Sequence, residues 1–473
     1  MKKTLKAAAL AMAFALAFAA IAQAAVVPVK SPNWEPNTKK AINDMFAMYG
    51  KDSKGYDATC KPYATFDFDN STSILDVEEQ LAIYQLEKLR FAFRPDEVVD
   101  VICEGIPDVN KDLGDDYNHA TVLKLAQDCQ KAYTKLFMKG YVAADSSKEA
   151  KQAEWMATAD WKEFATKMRF LYDAIGDNFD VSVSYPWITY WFTGMTPAQI
   201  QRLATESHVY YTQKSRADAK FWQKVVWESP KGYKSKAGQV KIKFNQGINV
   251  SPELAELYQC LKANGIDVWI CSASYIDVII PCATLDIFGL KGAVTGVTAM
   301  TNIYKDGVMT HKYDYDFHAQ TQGIGKSLTI EKIIAPRYKG HGPILVCCDS
   351  QGDFNFCSEW KDTKVVVCLN RQRKDDAGLF AAAAIWQNEN NIDLAKAVAM
   401  GDARFCLQGR NENGGYLWPE TACHLLAKGK GVLHKKAEGW LDQLRAGTSI
   451  KDLINNNSKL KGKPDQFVGY KVR

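Results

Sequence analysis

The run "YATFDFDNS" sets two carboxylates, Asp67 and Asp69, one residue apart at the end of a short apolar segment. Period-2 alternation along an extended chain turns Phe68 to the opposite side and leaves both acids on one face. A carboxylate held this way can act as a nucleophile, and a second beside it can pass a proton. Polar residues recur at comparable points. Ser272 and Ser274 follow "DVWIC", Asp349 and Asp353 follow "PILVCC", and Lys326 opens a helical pattern in "GIGKSLTIEKII". Acids and a lysine brought together from separate strands are ruinous if buried unpaired. They become sensible around a divalent cation and an anionic ligand.

The elements that must position them are four apolar runs, "YATF" (63–66), "DVWIC" (267–271), "PILVCC" (343–348) and "KVVVCL" (364–369), with helical patterns between. "SPELAELYQCLKANG" reads as one such helix. Ser251 and Pro252 start it, Leu254, Leu257 and Leu261 share a face, and Gly265 stops it. Strands alternating with helices predict an α/β core, a doubly wound parallel sheet whose ligand sites lie at the C-terminal strand ends. From residue 76 to 240 the periodicity is helical, as in "VEEQLAIYQLEKLRFAF", which predicts a mainly helical cap domain inserted after the first core strand. "AVTGVTAMTNIYKDGVMTHKYDYD" predicts a hairpin turning at Asp306 and Gly307. The chain therefore divides into a leader over 1–25, an N-terminal segment with the first strand over 26–75, the cap over 76–240, the rest of the core over 241–385, and a C-terminal extension over 386–473. The extension contains "LQGRNENGGYLWPE" (407–420), for which the sequence supplies no role.

The leader "MKKTLKAAALAMAFALAFAAIAQAA" carries three lysines, an Ala-rich apolar run and small residues at Ala22, Ala24 and Ala25, the layout of a secretory signal. It predicts a periplasmic or secreted chain without stable membrane insertion. Its removal takes three of 59 Lys and Arg, against 54 Asp and Glu, so the remainder is close to neutral. That balance argues against a nucleic-acid partner. Twelve cysteines in an exported chain make disulfides an expectation, although Cys271, Cys347 and Cys348 stand in strand-like runs where Cys serves as a small core residue. Structural zinc spacing, G-x-S-x-G elbows and Walker loops are all missing from the sequence. His318 and His341 fall in expected loops, and the basic run "KGYKSKAGQVKIK" (231–243) reads as a solvated loop. Oligomeric state is not legible.

"FDFDNS", "WICSAS", "GKSLTI" and "CCDSQGD" resemble, in order and spacing, the four motifs of the haloacid-dehalogenase-like phosphatases, over about 56–75 and 240–385. The resemblance implies that core and a phosphomonoesterase working through an aspartyl-phosphate. It implies Asp67 as nucleophile, Asp69 as acid and base, Ser272 with the following amides as holders of the phosphoryl oxygens, and Lys326 as their counter-charge. Mg²⁺ is implied as cofactor, on Asp67, Asp349, Asp353 and the carbonyl of Asp69. Asn70, Ser71 and Ala273 are implied at the substrate. Two departures stand out: Ser71 replaces the usual Thr, and Cys348 replaces the usual Gly before the motif-four Asp.

"DNSTSILDVEEQL" and "SYPWITYWFTGMTPAQI" (184–200) are further similar to segments of the secreted bacterial phosphorylcholine phosphatases. This implies a small amino-alcohol phosphate ester as substrate, with Glu78 and Glu79 near its cationic head. Tyr185, Trp187, Tyr190 and Trp191 are candidate aromatic faces, because a quaternary ammonium is recognised through ring faces and carboxylates rather than by hydrogen bonds. Paired Glu at a helix start also suits the macrodipole, and Tyr and Trp at such spacing also suit core packing. A phosphatase of other small esters, such as phosphoserine or a sugar phosphate, and a non-catalytic choline-binding protein are the alternative readings.

Overall fold

A computed structural model of the chain describes residues 26–217 and 220–458. The expected leader over 1–25 lies outside the described residues. Six parallel strands form the central sheet: β1 (Tyr63–Phe66), β2 (Asp267–Tyr275), β3 (Gly296–Met300), β4 (Leu345–Cys348), β5 (Val365–Leu369) and β6 (Arg404–Gln408), in spatial order β6-β5-β4-β1-β2-β3. Ala64 stands opposite Leu345 on one side and Val268 on the other. The chain winds outward from β1 through β2 and β3, then returns to β4 and winds out the other way. The switch falls at β1, so its C-terminal end opens a crevice between diverging connections.

Both faces of the sheet are covered, which is why the strands read as unbroken apolar runs rather than alternating ones. Val365, Val367 and Leu369 of β5 face one core cluster, and Val366 and Cys368 face another. All twelve cysteines are free, and ten are buried. The disulfides expected from export are therefore not formed: Cys347 and Cys348 point into opposite clusters and serve as small packing residues.

Between β1 and β2 the chain builds helices α1 (Val77–Lys88), α2 (Val122–Met138), α3 (Ala159–Asn178), α4 (Val181–Thr189) and α5 (Pro197–Ala217) around a separate core. Helix α1 joins the two bodies. Val77, Leu81 and Tyr84 pack with the sheet cluster while Ala82, Ile83 and Leu86 pack into the insert. The insert is not wholly helical, since strands Trp222–Glu228 and Lys241–Gly247 form an antiparallel hairpin. Its second strand, beyond residue 240, brings Ile242 and Phe244 into the insert's core. Helix α6 (Pro252–Ala263) then leads to β2, and the short helix α7 (Ile324–Thr329) precedes β4. The expected hairpin after β3 pairs Asn302–Lys305 with Val308–Tyr313, with Asp306 at φ 52° and Gly307 at φ 81°. Both central residues are left-handed, as a tight hairpin requires. The extension supplies β6, a small sheet over 410–431 and closing helices. Among the described residues no helix is long and apolar enough to cross a membrane.

Candidate active site

Beyond the C-terminal ends of β1, β2 and β4 lies a cavity of about 270 Å³ lined by Asp67, Asp69, Lys326, Asp349 and Asp353 from the core and by Asp76, Glu78, Glu79, Tyr172 and Tyr185 from the insert. β1 ends and the chain turns sharply, with Asn70 at φ 59°, a conformation Asn tolerates because its side chain bonds locally. This turn gives the two acids of "DFD" different surroundings. Asp67 Oδ1 accepts from Lys326 Nζ at 2.6 Å and Oδ2 from Ser71 Oγ at 2.6 Å. Asp69 faces the insert: Oδ1 accepts from the Val77 amide at 2.7 Å, and Oδ2 from Ser274 Oγ at 2.6 Å and Ser272 Oγ at 3.2 Å.

Lys326, 1% exposed, also donates to Asp353 Oδ1 at 2.5 Å. Asp353 is fixed in turn, because its Oδ2 accepts the Asp349 amide at 3.1 Å. Asp349 Oδ1 lies 3.1 Å from the Ser71 hydroxyl oxygen, and its Oδ2 accepts from Arg371 Nη1 at 2.8 Å. One oxygen each of Asp67, Asp349 and Asp353 lie within 4.8 Å of one another, all three residues buried. Against these three carboxylates stand Lys326 and Arg371, so the cluster is short of positive charge. Burial and the neighbouring Asp67 push Asp353 up to about 7, and burial with the Asp349 charge raises Asp67 despite Lys326. Hard oxygens in charge deficit suit Mg²⁺, which binds through one or two carboxylates plus water and phosphate. The donor set therefore fits the implied ion. Burial and the Asp67 charge lift Asp69 to about 6, near the range useful for passing a proton.

The insert closes the other side. Asp76 caps α1 by accepting the Glu78 and Glu79 amides at 2.8 and 2.9 Å. Glu78 Oε1 accepts the Tyr275 amide at 3.0 Å, and burial raises its carboxyl to about 8. Glu79 is different, since Arg169 Nη2 donates to it at 2.5 Å and the guanidinium sits over the Tyr172 and Phe244 rings at 4.8 and 5.1 Å. Its charge is already matched. The uncompensated carboxyls on this side are Asp76 and Glu78. Helix α4 crosses the mouth, tied to the core by Gln320 and Gln322, which donate to the Ser182 and Val181 carbonyls at 2.8 and 3.1 Å.

Of the residues singled out from sequence, Asp67, Asp69, Asn70, Glu78, Glu79, Tyr185, Ala273, Lys326, Asp349 and Asp353 line the cavity. Trp187 and Tyr190 do not. Trp187 is fully buried in the insert, its Nε1 donating to the Ile102 carbonyl at 2.8 Å and its ring edge-on to Trp191, and Tyr190 is 4% exposed in the same core. The reason is helical geometry: Tyr185 sits a half turn from Trp187, so when one faces the cavity the other faces the insert. Ser71 and Ser272 lie behind the cavity wall and bond to the acids, with Ser274 at the wall instead. Ser274, marked in the sequence at the end of the second strand, lines the cavity, whereas sequence reading missed Tyr172, Gln322, Arg371 and Arg373 as lining residues. Arg371 and Arg373 were discoverable, because "NRQR" follows β5 at the same strand end that marked the other motifs. Tyr172 carries no signal, since helical periodicity places it without showing that the insert folds over β1.

Among solved structures the chain is similar to a conserved functionally unknown protein from Anaerococcus prevotii DSM 20548, at 28% identity, a TM-score of 0.70, and coverage of 84% of this chain and 98% of that one. An overlap of that size takes in the insert as well as the sheet. A HAD-family hydrolase from Salmonella enterica subsp. enterica serovar Typhi (11% identity, TM-score 0.30, 64% and 62% of the two chains) and a probable phosphoserine phosphatase from Vibrio cholerae (11%, 0.28, 66% and 57%) also match, too distantly to bear on the chemistry. No protein-family model and no curated protein matches the chain.

Proposed function

We propose that this chain is an exported phosphomonoesterase of the haloacid-dehalogenase-like kind, acting through a phosphorylated Asp67 on a small phosphate ester whose alcohol carries a cationic head. The observation that carries the reading is the division of labour between Asp67 and Asp69. One is held by Lys326 and Ser71 in the acid cluster, the other by Ser274 and Val77 toward the insert. In the first step an Asp67 oxygen attacks phosphorus, the ester P–O bond breaks, and Asp69 donates its proton to the departing alkoxide. In the second, Asp69 takes a proton from water, which attacks the acyl phosphate, releasing phosphate and restoring Asp67. Lys326 and residues 272–274 at the end of β2 receive the phosphoryl oxygens, as preorganised donors whose orientation costs nothing at the moment of reaction. Asp67, Asp349, Asp353 and the Asp69 carbonyl would hold Mg²⁺, which when bound neutralises charge on the phosphoryl oxygens.

Asp76, Glu78 and the Tyr172 and Tyr185 rings support the cationic head: carboxyls and ring faces are what an ammonium selects. Phosphorylcholine is the leading substrate on the sequence resemblance. The partner is then a small molecule rather than nucleic acid or membrane. Phosphate release from phosphorylcholine and from an uncharged ester of similar size, with Asp67→Asn as control, tests both parts. We expect no turnover by the variant and a preference for phosphorylcholine of about tenfold or more in kcat/KM, equivalent to about 1.4 kcal/mol. Turnover retained by Asp67→Asn refutes the mechanism. Equal kcat/KM removes the cationic head and leaves a phosphatase of other small esters. Choline binding without phosphate release from any ester favours the non-catalytic reading.

A further inference from the structure

"LQGRNENGGYLWPE" is a stretch singled out in the sequence that the proposed chemistry does not use. It continues from β6 into a small sheet in which Arg410–Asn411 pairs with Tyr416–Leu417 and with Cys423–His424. Two charged side chains of this sheet are almost entirely withdrawn from water, Arg410 at 1% and Glu412 at 3% exposure. Glu412 Oε1 accepts from Arg410 Nε at 3.0 Å and Nη2 at 2.6 Å and lies 3.3 Å from Arg371 Nε, while Oε2 accepts the Leu426 amide at 3.0 Å. The two arginines then reach in different directions. Arg371 donates to Asp349 Oδ2 at 2.8 Å, and Arg410 Nη1 donates to the carbonyl of Asn70, in the turn that carries Asp67 and Asp69. One carboxylate thus joins the extension to two of the loops that present the acid cluster.

An arginine in that position acts in two opposed ways. Its planar fork fixes a carboxylate better than a lysine could, yet its charge, in a poorly solvated site, repels any cation that the carboxylate is meant to hold. A buried carboxylate against the far side of the guanidinium resolves the conflict, keeping the orientation while cancelling the charge. Burial works against ionisation of Glu412, but Arg410 and Arg371 outweigh it and hold its carboxyl below the ordinary value, so the compensating charge is present.

We propose that Glu412 is a positioning residue through which the C-terminal extension sets the divalent-cation affinity of the Asp67, Asp349 and Asp353 cluster, by compensating the charge of Arg371 while Arg371 orients Asp349. The proposal rests on the functional reading above only in taking the cluster as a cation site. Outer partners of metal ligands typically change metal affinity by about 10-fold to 100-fold when altered.

The test is calorimetric titration of the full chain with Mg²⁺ alone, without substrate, with unfolding of each variant followed in parallel. Glu412→Gln is expected to weaken Mg²⁺ binding about tenfold, the low end of that range. Adding Arg371→Gln, which removes the repelling charge together with the fork that orients Asp349, should recover part of that loss. A contact that merely stabilises the fold shows no such recovery. Glu412→Asp keeps the charge and is the milder change if Gln at 412 does not fold; it should bind Mg²⁺ nearly as the unaltered chain does, and a tenfold loss there overturns the charge argument. Unchanged binding by Glu412→Gln, or a double variant weaker than Glu412→Gln, also overturns the proposal while leaving the phosphatase reading intact. Failure of the unaltered chain to bind Mg²⁺ overturns both the cation site and this role for Glu412.

Discussion

Glu78 offers a measurement that links the cavity's electrostatics to its ligand. The residue is 4% exposed and receives one amide hydrogen bond, from Tyr275. Burial, reinforced by the Asp69 charge, raises its carboxyl from 4.5 to about 8. The folded chain therefore holds a proton there that the unfolded chain releases, and stability falls as pH rises through the window between those two values. Each pH unit in that window removes about 1.4 kcal/mol, so the limit is about 5 kcal/mol by pH 8, and we expect about 2–4 kcal/mol once water enters around the ionised group. Glu78→Gln keeps an oxygen for the Tyr275 amide and cannot ionise. In urea unfolding with a chelator present, variant and unaltered chain should be nearly equal near pH 5, and the variant should be the more stable by about 2–4 kcal/mol at pH 8. A cation beside Glu78 favours its ionised form, so choline binding at pH 7 should release a proton, seen as a buffer-dependent heat that Glu78→Gln abolishes. A stability difference that does not change between pH 5 and 8 refutes the reasoning.

Two other substitutions separate packing from chemistry. Trp187→Ala should destabilise the fold by about 3–5 kcal/mol, the usual cost of removing a buried Trp, while the folded variant should discriminate between charged and uncharged esters as the unaltered chain does; a changed discrimination would return Trp187 to the proposed substrate site. Lys326→Met leaves Asp67 and Asp353 without their shared counter-charge and should cost about 3–5 kcal/mol at pH 8. That loss should shrink on acidification as the carboxyls take up protons, and a variant as stable as the unaltered chain at pH 8 would contradict it.

Much of the core was legible because the sheet is covered on both faces. Strands such as "KVVVCL" then stand out as continuous apolar runs, and the polar residue ending each one marks the crevice. The insert was legible as helices but not as a wall of the site, since periodicity tells which residues are buried and not which body they are buried against. That is why Tyr185 and Trp187 looked equivalent, and why the hairpin strand 241–247 fell outside the cap boundary drawn at 240. Glu78 and Glu79 also looked equivalent as neighbours in sequence. Arg169, from α3, matches one of them and leaves the other uncompensated.

The residue order of this chain carries the winding of the sheet, the place of the crevice and the identity of Asp67, Asp69, Lys326, Asp349 and Asp353, because each depends on local pattern and on strand ends. The partners of those residues depend on contacts between segments far apart in the chain. Ser274 on Asp69, Arg371 on Asp349 and Glu412 behind Arg371 are visible only when β2, β5 and the C-terminal sheet arrive at the end of β1. Charges in a buried site are set by what reaches them through space, and no spacing along the sequence encodes that distance.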